Sequence, residues 1–458
     1  MDKDIFGFDF GQKRALRLSV GEKMAKRISS CLRAEMWDQM QFFVRKVADQ
    51  QVRCVISFDG RIDEIRMASA VRLSLDAVPI MGFRYVEGWW HSYWGHIERI
   101  DYSKTFTTIK TENVGYEILR CLSEEINPFG GPQVRVRILR STADSLCINM
   151  NHMVGDAAGL KEYVYLLASI YRNLIQDSEY RPEPNANGRR GLRQVSRHIR
   201  LLDKIKILRR GTAEAFRSLN WRFPLGKGAC EPEILILKFP RSRFNAIREY
   251  GKKHQATLND VVLTAYYRAL FEVIQPDPSI SLRVAVTVDL RRYIPSGEAE
   301  AICNLSAFVF SEIGPGLGAD FNETLRKVRD DMNMKKNDFP GLKGFPRLVV
   351  LFKLLPYSLL KRKILRRFEP PRMVNRQSGG MPPSLTNTGM IDSEKLVFGD
   401  VGVTDAYLTG AINYSPGFQM GVSSFKESMT CSVCFCNTGV DRKLVDRFFA
   451  CLEKELPK

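Results

Sequence analysis

The chain of 458 residues is 44% apolar and carries 69 Lys and Arg against 51 Asp and Glu, a formal charge of +18 at pH 7. A single hydrophobic core stops growing near ~250–300 residues, so this length excludes a one-core molecule and predicts two cores with a cleft between them. So large a positive excess calls for an acidic partner.

The N-terminus, Met1-Asp2-Lys3-Asp4-Ile5, carries acidic charge and lacks the apolar centre of a signal peptide. Val55-Ile56-Ser57-Phe58 reads as a strand and Asp59-Gly60-Arg61 as a turn; the residues from Ala68 read as a helix, then a strand leading to Trp89, Trp90 and Trp94. Aromatics interleaved at a strand end predict packing, and neither they nor the nearby His91 and His96 are assigned a role.

Ser145-Leu146-Cys147-Ile148-Asn149-Met150 alternates partly and reads as a strand, with Leu146, Ile148, Met150 and His152 on one face if the extended geometry persists. From Leu160 onward Tyr163, Val164, Leu167, Ile170 and Tyr171 recur at helical spacing. Asp156 to Gly159 therefore form a strand-to-helix connection whose small residues let the backbone pass close to the imidazole. An imidazole can take a proton from a hydroxyl or amine near neutrality and return one to a leaving thiolate. A carboxylate four residues on can hold the ring or fix the local backbone, so His152 and Asp156 head the candidates for chemistry.

The regular pattern ends near Tyr171, and residues 177–188 have linker composition. Two basic amphipathic stretches follow at different points of the chain, 189–217 and 347–372. They read as packed helices with solvated basic faces, a resting place on a membrane surface being the alternative. A second half opens at the strand 233–239, and Thr257 and Asp260 have capping-box spacing at the start of a helix carrying Val261, Val262, Ala265, Ala269 and Leu270. The longest apolar region, 348–360, is interrupted by Lys353 and Pro356 and is too short to span a bilayer. Ten cysteines in a chain this long fit a reducing compartment, and Cys431, Cys434 and Cys436 read as strand residues because nothing completes four zinc ligands. A soluble cytoplasmic protein is expected, peripheral membrane contact being left open. No G-x-S-x-G elbow, phosphate-binding glycine loop or nucleic-acid motif occurs, which argues against a serine triad, nucleotide chemistry and a nucleic-acid partner.

Asn151-His152-Met153-Val154-Gly155-Asp156-Ala157 resembles the H-H-x-x-x-D-G signature of the superfamily that contains chloramphenicol acetyltransferase, peptide-synthetase condensation domains, plant-type acyltransferases, alcohol acetyltransferases and wax ester synthases. Asn151 stands at the first histidine and Ala157 at the glycine. Further segments fall in the order that superfamily requires. Asn259-Asp260-Val261-Val262-Leu263 is similar to the N-D-V-V-L helix start of wax ester synthases, and Val286-Thr287-Val288-Asp289-Leu290-Arg291 to their V-x-V-D-L-R strand. Cys303-Asn304-Leu305-Ser306 resembles a G-N strand, and Ser384-Leu385-Thr386-Asn387-Thr388-Gly389 an S-x-x-N-x-G strand.

The resemblance implies an α/β (α+β) fold of two chloramphenicol acetyltransferase-like modules, with mainly antiparallel or mixed sheets and an interdomain tunnel. The expected division is an N-terminal module over 1–180 carrying the motif, a basic linker or helical crossover over 181–229, and a C-terminal module over 230–458. It implies an acyltransferase that moves an acyl group from acyl-coenzyme A, or a carrier-protein phosphopantetheine thioester, to an alcohol or amine. The thioester is a co-substrate, no bound cofactor or metal is expected, and the chain is expected to be a monomer. His152 would be the general base, with Asp156, Arg291, Asn151 and Gly159 in support and Asp156 paired to Arg291. Asn387, Ser384 and Asn304 are the candidates for holding the oxyanion or substrate. A membrane-peripheral lipid or wax-ester-type O-acyltransferase and a non-catalytic condensation-like binding protein are the alternatives.

Overall fold

The computed structural model describes residues 31–185, 188–210, 230–277, 279, 281–343, 345–368, 382–414 and 417–458. The N-terminal residues 1–5, positions 186–187 of the linker and the ends of the basic stretches, 211–217 and 369–372, lie outside the described residues.

The strands, in chain order, are β1 Cys31–Arg33, β2 Gln51–Phe58, β3 Phe83–Val86, β4 Tyr93–His96, β5 Phe106–Lys110, β6 Val134–Arg140, β7 Asp144–Asn151, β8 Pro232–Phe239, β9 Ser281–Asp289, β10 Ser306–Pro315, β11 Ser384–Ile391, β12 Val403–Thr409, β13 Gln419–Phe425 and β14 Ser428–Cys436. The helices are α1 Met36–Phe43, α2 Glu64–Ala77, α3 Val114–Ser123, α4 Ala157–Gln176, α5 Arg193–Ser196, α6 Leu201–Arg210, α7 Arg241–Lys253, α8 Leu258–Ile274, α9 Phe321–Lys336, α10 Phe345–Leu354, α11 Tyr357–Arg367 and α12 Arg442–Glu455.

Two mixed sheets carry the fold, in the orders β12-β2-β7-β6-β5 and β10-β9-β11-β13-β14-β8, beside a small sheet β1-β4-β3. Antiparallel pairing dominates; β5 with β6, and β11 with both β9 and β13, run parallel. β7 is buried at every position because β2 and β6 flank it and both faces are covered. Leu146, Ile148 and Met150 share a core with Met67 of α2 and Leu167 of α4, whereas Cys147 packs with Ile234 and Cys434 of the other sheet. A second core gathers Val261, Val262, Ala265, Ala269 and Leu270 of α8 against β9, β13 and β14. The capping box at Thr257 and Asp260 is present in both directions.

Three expectations change. β12 leaves the second half of the chain and joins the first sheet, Leu408 standing opposite Cys54, because β2 has an open edge and an apolar strand to cover it. Cys230 and Cys436 form a disulfide, Cα–Cα 5.7 Å, so not every cysteine is a buried thiol. Trp94 is buried, but Trp89 and Trp90 are exposed rather than packed. Among the described residues no helix is long and apolar enough to cross a membrane, and no group of His, Cys, Asp or Glu could hold a metal ion.

Candidate active site

β7 ends at Asn151, and the amide of Val154 donates to the Asn151 carbonyl (3.0 Å), so His152 opens a turn instead of prolonging the strand. Asp156 then caps α4, its Oδ1 accepting the Gly159 amide at 2.9 Å. Gly159 lies at a close approach: a Cβ there would meet the Cys303 carbonyl oxygen at 3.2 Å and Ile302 Cγ2 at 3.3 Å, so a larger residue needs its neighbours to give. Ala157 occupies the first turn of the helix, where the backbone is right-handed and needs no glycine.

The half-buried His152 ring meets a buried amide. Its Nδ1 lies 3.0 Å from Asn304 Oδ1, while Asn304 Nδ2 donates to the carbonyls of His152 (2.8 Å) and Met153 (3.2 Å). With both Nδ2 hydrogens spent on carbonyls, the amide oxygen faces the ring, an arrangement that in a neutral imidazole sets the proton on Nδ1 and the lone pair on Nε2. Asn304 thus lies behind the imidazole, holding it, and its amide is not free to bind an oxyanion.

Asn151 is buried and fully engaged: Nδ2 donates to Gln133 Oε1 (2.7 Å), and Oδ1 accepts the Met153 amide (3.0 Å). Gln133 in turn donates to the carbonyls of Phe83 and Gly131, both at 2.7 Å. Asn151 is thus part of a buried amide relay that shapes the turn.

Asp156 and Arg291 meet across 135 residues of sequence, with Nη1–Oδ2 at 3.1 Å and Nη2–Oδ1 at 3.2 Å. Asp156 Oδ2 also accepts the Leu305 amide (2.8 Å) and the Ser306 hydroxyl (2.9 Å). Burial would raise its carboxyl, but the charge and hydrogen bonds of Arg291 and the amides of Gly159 and Leu305 outweigh that and hold it below the usual range. The pair joins the motif loop of the first sheet to the short helix Leu290–Tyr293 and the start of β10, which also brings Asn304 to His152.

Ser384 and Asn387 lie on β11. Lys161, one turn into α4, ties that strand to the motif helix by donating to the carbonyls of Thr388 (2.8 Å) and Met390 (3.2 Å). Asn387 Oδ1 accepts the Gly389 amide at 2.9 Å. No hydrogen bond joins either Ser384 or Asn387 to His152 among the described residues.

Sequence reasoning missed several supports. Arg190 donates to the Val154 carbonyl (2.9 Å) and the Ile302 carbonyl (3.1 Å) and pairs with buried Asp38 at 2.8 Å, bracing the motif loop from behind. Glu162 stands 3.5 Å from Arg291 Nε; burial pushes its carboxyl up to about 7 against the opposing pull of Arg291. A cavity of about 820 Å³ is lined by Lys161, Glu162, Asp289 and Arg291 but not by His152. Lys161 and Glu162 look like any surface pair of a helix in sequence, and Arg190 looks like one more charge in a basic run.

No family model matches the chain, and no curated protein matches it in sequence. Solved structures do. Trichothecene 15-O-acetyltransferase from Fusarium sporotrichioides superposes with a TM-score of 0.66 at 10% identity, over 93% of this chain and 94% of that one. Polyketide synthase associated protein 5 from Mycobacterium tuberculosis gives 0.64 at 13% identity, over 92% and 96%. The first condensation domain of the CDA synthetase gives 0.63 at 15% identity, over 93% and 95%. The chain carries the chloramphenicol acetyltransferase-like fold. Within this fold the elements that hold His152, Asp156 and Arg291 come from both halves of the chain, and identity of 10–15% establishes the architecture alone.

Proposed function

We propose that the protein is an acyltransferase that moves an acyl group from a thioester to a hydroxyl or amine, with His152 as general base. The observation that carries this reading is the orientation of the ring: the Asn304 amide oxygen engages Nδ1, and Nε2 is left as the basic nitrogen. Nε2 takes the acceptor's proton as its oxygen or nitrogen attacks the thioester carbonyl carbon. The tetrahedral oxyanion collapses, the carbon–sulfur bond breaks, and the proton held on His152 goes to the departing thiolate. The products are an ester or amide and a free thiol.

Asp156 serves structure in this scheme, since the hydrogen bonds of its carboxylate go to Arg291, Gly159, Leu305 and Ser306. The oxyanion donor is assigned to β11, where Asn387 uses only its amide oxygen locally and keeps Nδ2 to offer. Ser384, on the same strand, is the second choice. The acyl donor is acyl-coenzyme A or a carrier-bound phosphopantetheine thioester, both acidic and both matched to the charge of +18.

Thiol release measured over a panel of acyl thioesters and hydroxyl or amine acceptors tests this directly. Turnover that disappears in His152→Ala, with the melting temperature unchanged, supports it. Thioester binding without thiol release from any acceptor would make the chain a binding protein instead.

A further inference from the structure

Both basic stretches pack in part, through Ile207 on α6, Phe352 on α10 and Leu360 on α11, yet α6 and α10 leave other apolar side chains exposed. On α6 the buried side chain is Ile207, while Leu201 (73% exposed), Leu202 (72%), Ile205 and Leu208 form one stripe that faces outward. At 100° per residue that stripe is centred nearly opposite Ile207, with Lys204 and Lys206 on its two flanks. The apolar face of the helix is turned to the outside, the reverse of what water selects.

α10 packs against α6 and turns most of its apolar surface inward, leaving a smaller part outside. Phe352 is buried, whereas Leu354 (71% exposed) and Val350 point outward between exposed Arg347 and Lys353. The surface continues to α11, where exposed Leu359 follows Ser358 and Tyr357. The amides of those two residues donate to the carbonyls of Trp89 (3.1 Å) and Trp90 (3.0 Å). Both indoles are exposed and stacked edge to face at 5.1 Å. Two helices, a helix start and a Trp pair from three separate stretches of chain are thus brought together with their exposed apolar side chains by these contacts.

Its charge decides what can cover it. Arg347, Lys353, Arg362, Lys363 and Arg366 stand exposed on α10 and α11, which contain no Asp or Glu, and Lys204, Lys206 and Arg209 stand exposed on α6, where Asp203 is the one acid. A second copy of this chain would set like charge against like charge. A soluble acidic molecule would meet the charge and leave the leucines and indoles in water. We infer that this face docks on an anionic lipid surface, which supplies negative headgroups for the lysines and arginines and an apolar layer for the stripe, with Trp89 and Trp90 at headgroup depth. The inference is independent of the acyl-transfer reading, because it is tested without turnover.

The experiment is flotation of the full chain with vesicles of phosphatidylcholine alone and of phosphatidylcholine containing phosphatidylserine, at ~0.1 M salt. Binding to the serine-containing vesicles is expected. Lys204→Gln with Lys353→Gln should weaken it by about fivefold for each charge removed. Leu202→Gln with Leu208→Gln should weaken it by about tenfold or more at unchanged net charge. Lys252→Gln with Lys253→Gln on α7 removes the same charge outside this face and should leave binding as it was. Failure to float overturns the inference. So does equal weakening by the α7 variant, or binding indifferent to the leucine changes, which would mark attraction by net charge or an acidic protein. A dimer in light scattering that Leu202→Gln with Leu208→Gln disperses would assign the face to a second copy.

Discussion

His152 Nδ1 faces Asn304 Oδ1 at 3.0 Å, and the amide is turned that way by two carbonyls, one of them that of His152 itself. The ring and its holder are therefore set by the same turn. Asn304→Leu keeps the volume and removes the acceptor, so the imidazole loses the bond that fixes its tautomer. Turnover is expected to fall about 10–10²-fold, with the Michaelis constant of the acyl donor little changed. Steady-state thiol release gives the split, and ¹⁵N shifts of His152 report whether Nδ1 still carries the proton. A Michaelis constant that rises while turnover holds would return Asn304 to substrate binding.

Asp156→Asn removes the charge opposite Arg291, which is buried, and is expected to lower stability by about 3–5 kcal/mol. The Asp156 carboxyl is held low in the fold, so its contribution is complete at neutral pH and disappears as acid protonates it. Denaturant unfolding across the acid range should therefore show the wild-type chain converging on the variant as pH falls. A variant as stable as wild type but inactive would make Asp156 part of the chemistry.

Asn151→Asp tests the amide relay. Gln133 cannot reverse its amide without giving up the Phe83 and Gly131 carbonyls, so an aspartate would set oxygen against oxygen in a buried site. A loss of about 1–3 kcal/mol is expected in thermal or denaturant melts. Asn151→His must find room for a ring in the same place, and it is expected to cost stability before it alters turnover.

Glu162 behaves in the opposite sense to Asp156. Its carboxyl is pushed up to about 7 in the fold, so its contribution is complete below the usual carboxylate range and is lost as pH rises through about 7. Glu162→Gln should stabilise the chain above pH 7. With the side chain still 36% exposed, water screens part of the effect, and about 1 kcal/mol is expected. Equal melting temperatures of the two proteins at alkaline pH would show that the ionised carboxylate is accommodated at no cost.

The Asp156–Arg291 pairing and the strand β7 could be read from residue patterns and from one resemblance, because a motif loop, a V-x-V-D-L-R strand and an apolar run each leave a local mark; the burial of its second face could not, since Cys147 meets residues of the other sheet. Asn304 was visible as a residue but not in its role: an amide's orientation depends on which carbonyls surround it, and those belong to the turn at His152. Arg190 was lost among the arginines around it, since burial against Asp38 is decided by α1, far away in sequence. The two basic stretches were recognisable as amphipathic, but periodicity gives the stripe without saying which way it faces. Nor could a local pattern reveal that β12 crosses to the first sheet, a choice made by an open edge some 350 residues away.

That crossing sets an order of events for the growing chain. Arg53 and Thr409 stand opposite each other in the finished sheet, so the edge of β2 stays open until some 350 further residues have been made. At ~5–20 residues per second, the wait lasts roughly 20–70 s. Throughout it, the backbone of an apolar strand, Val52 to Phe58, is available to any other extended segment nearby. A ribosome-bound fragment ending before residue 403 should therefore be the species that chaperones hold, and the strand that reaches the first sheet last does as much against aggregation as it does for the fold.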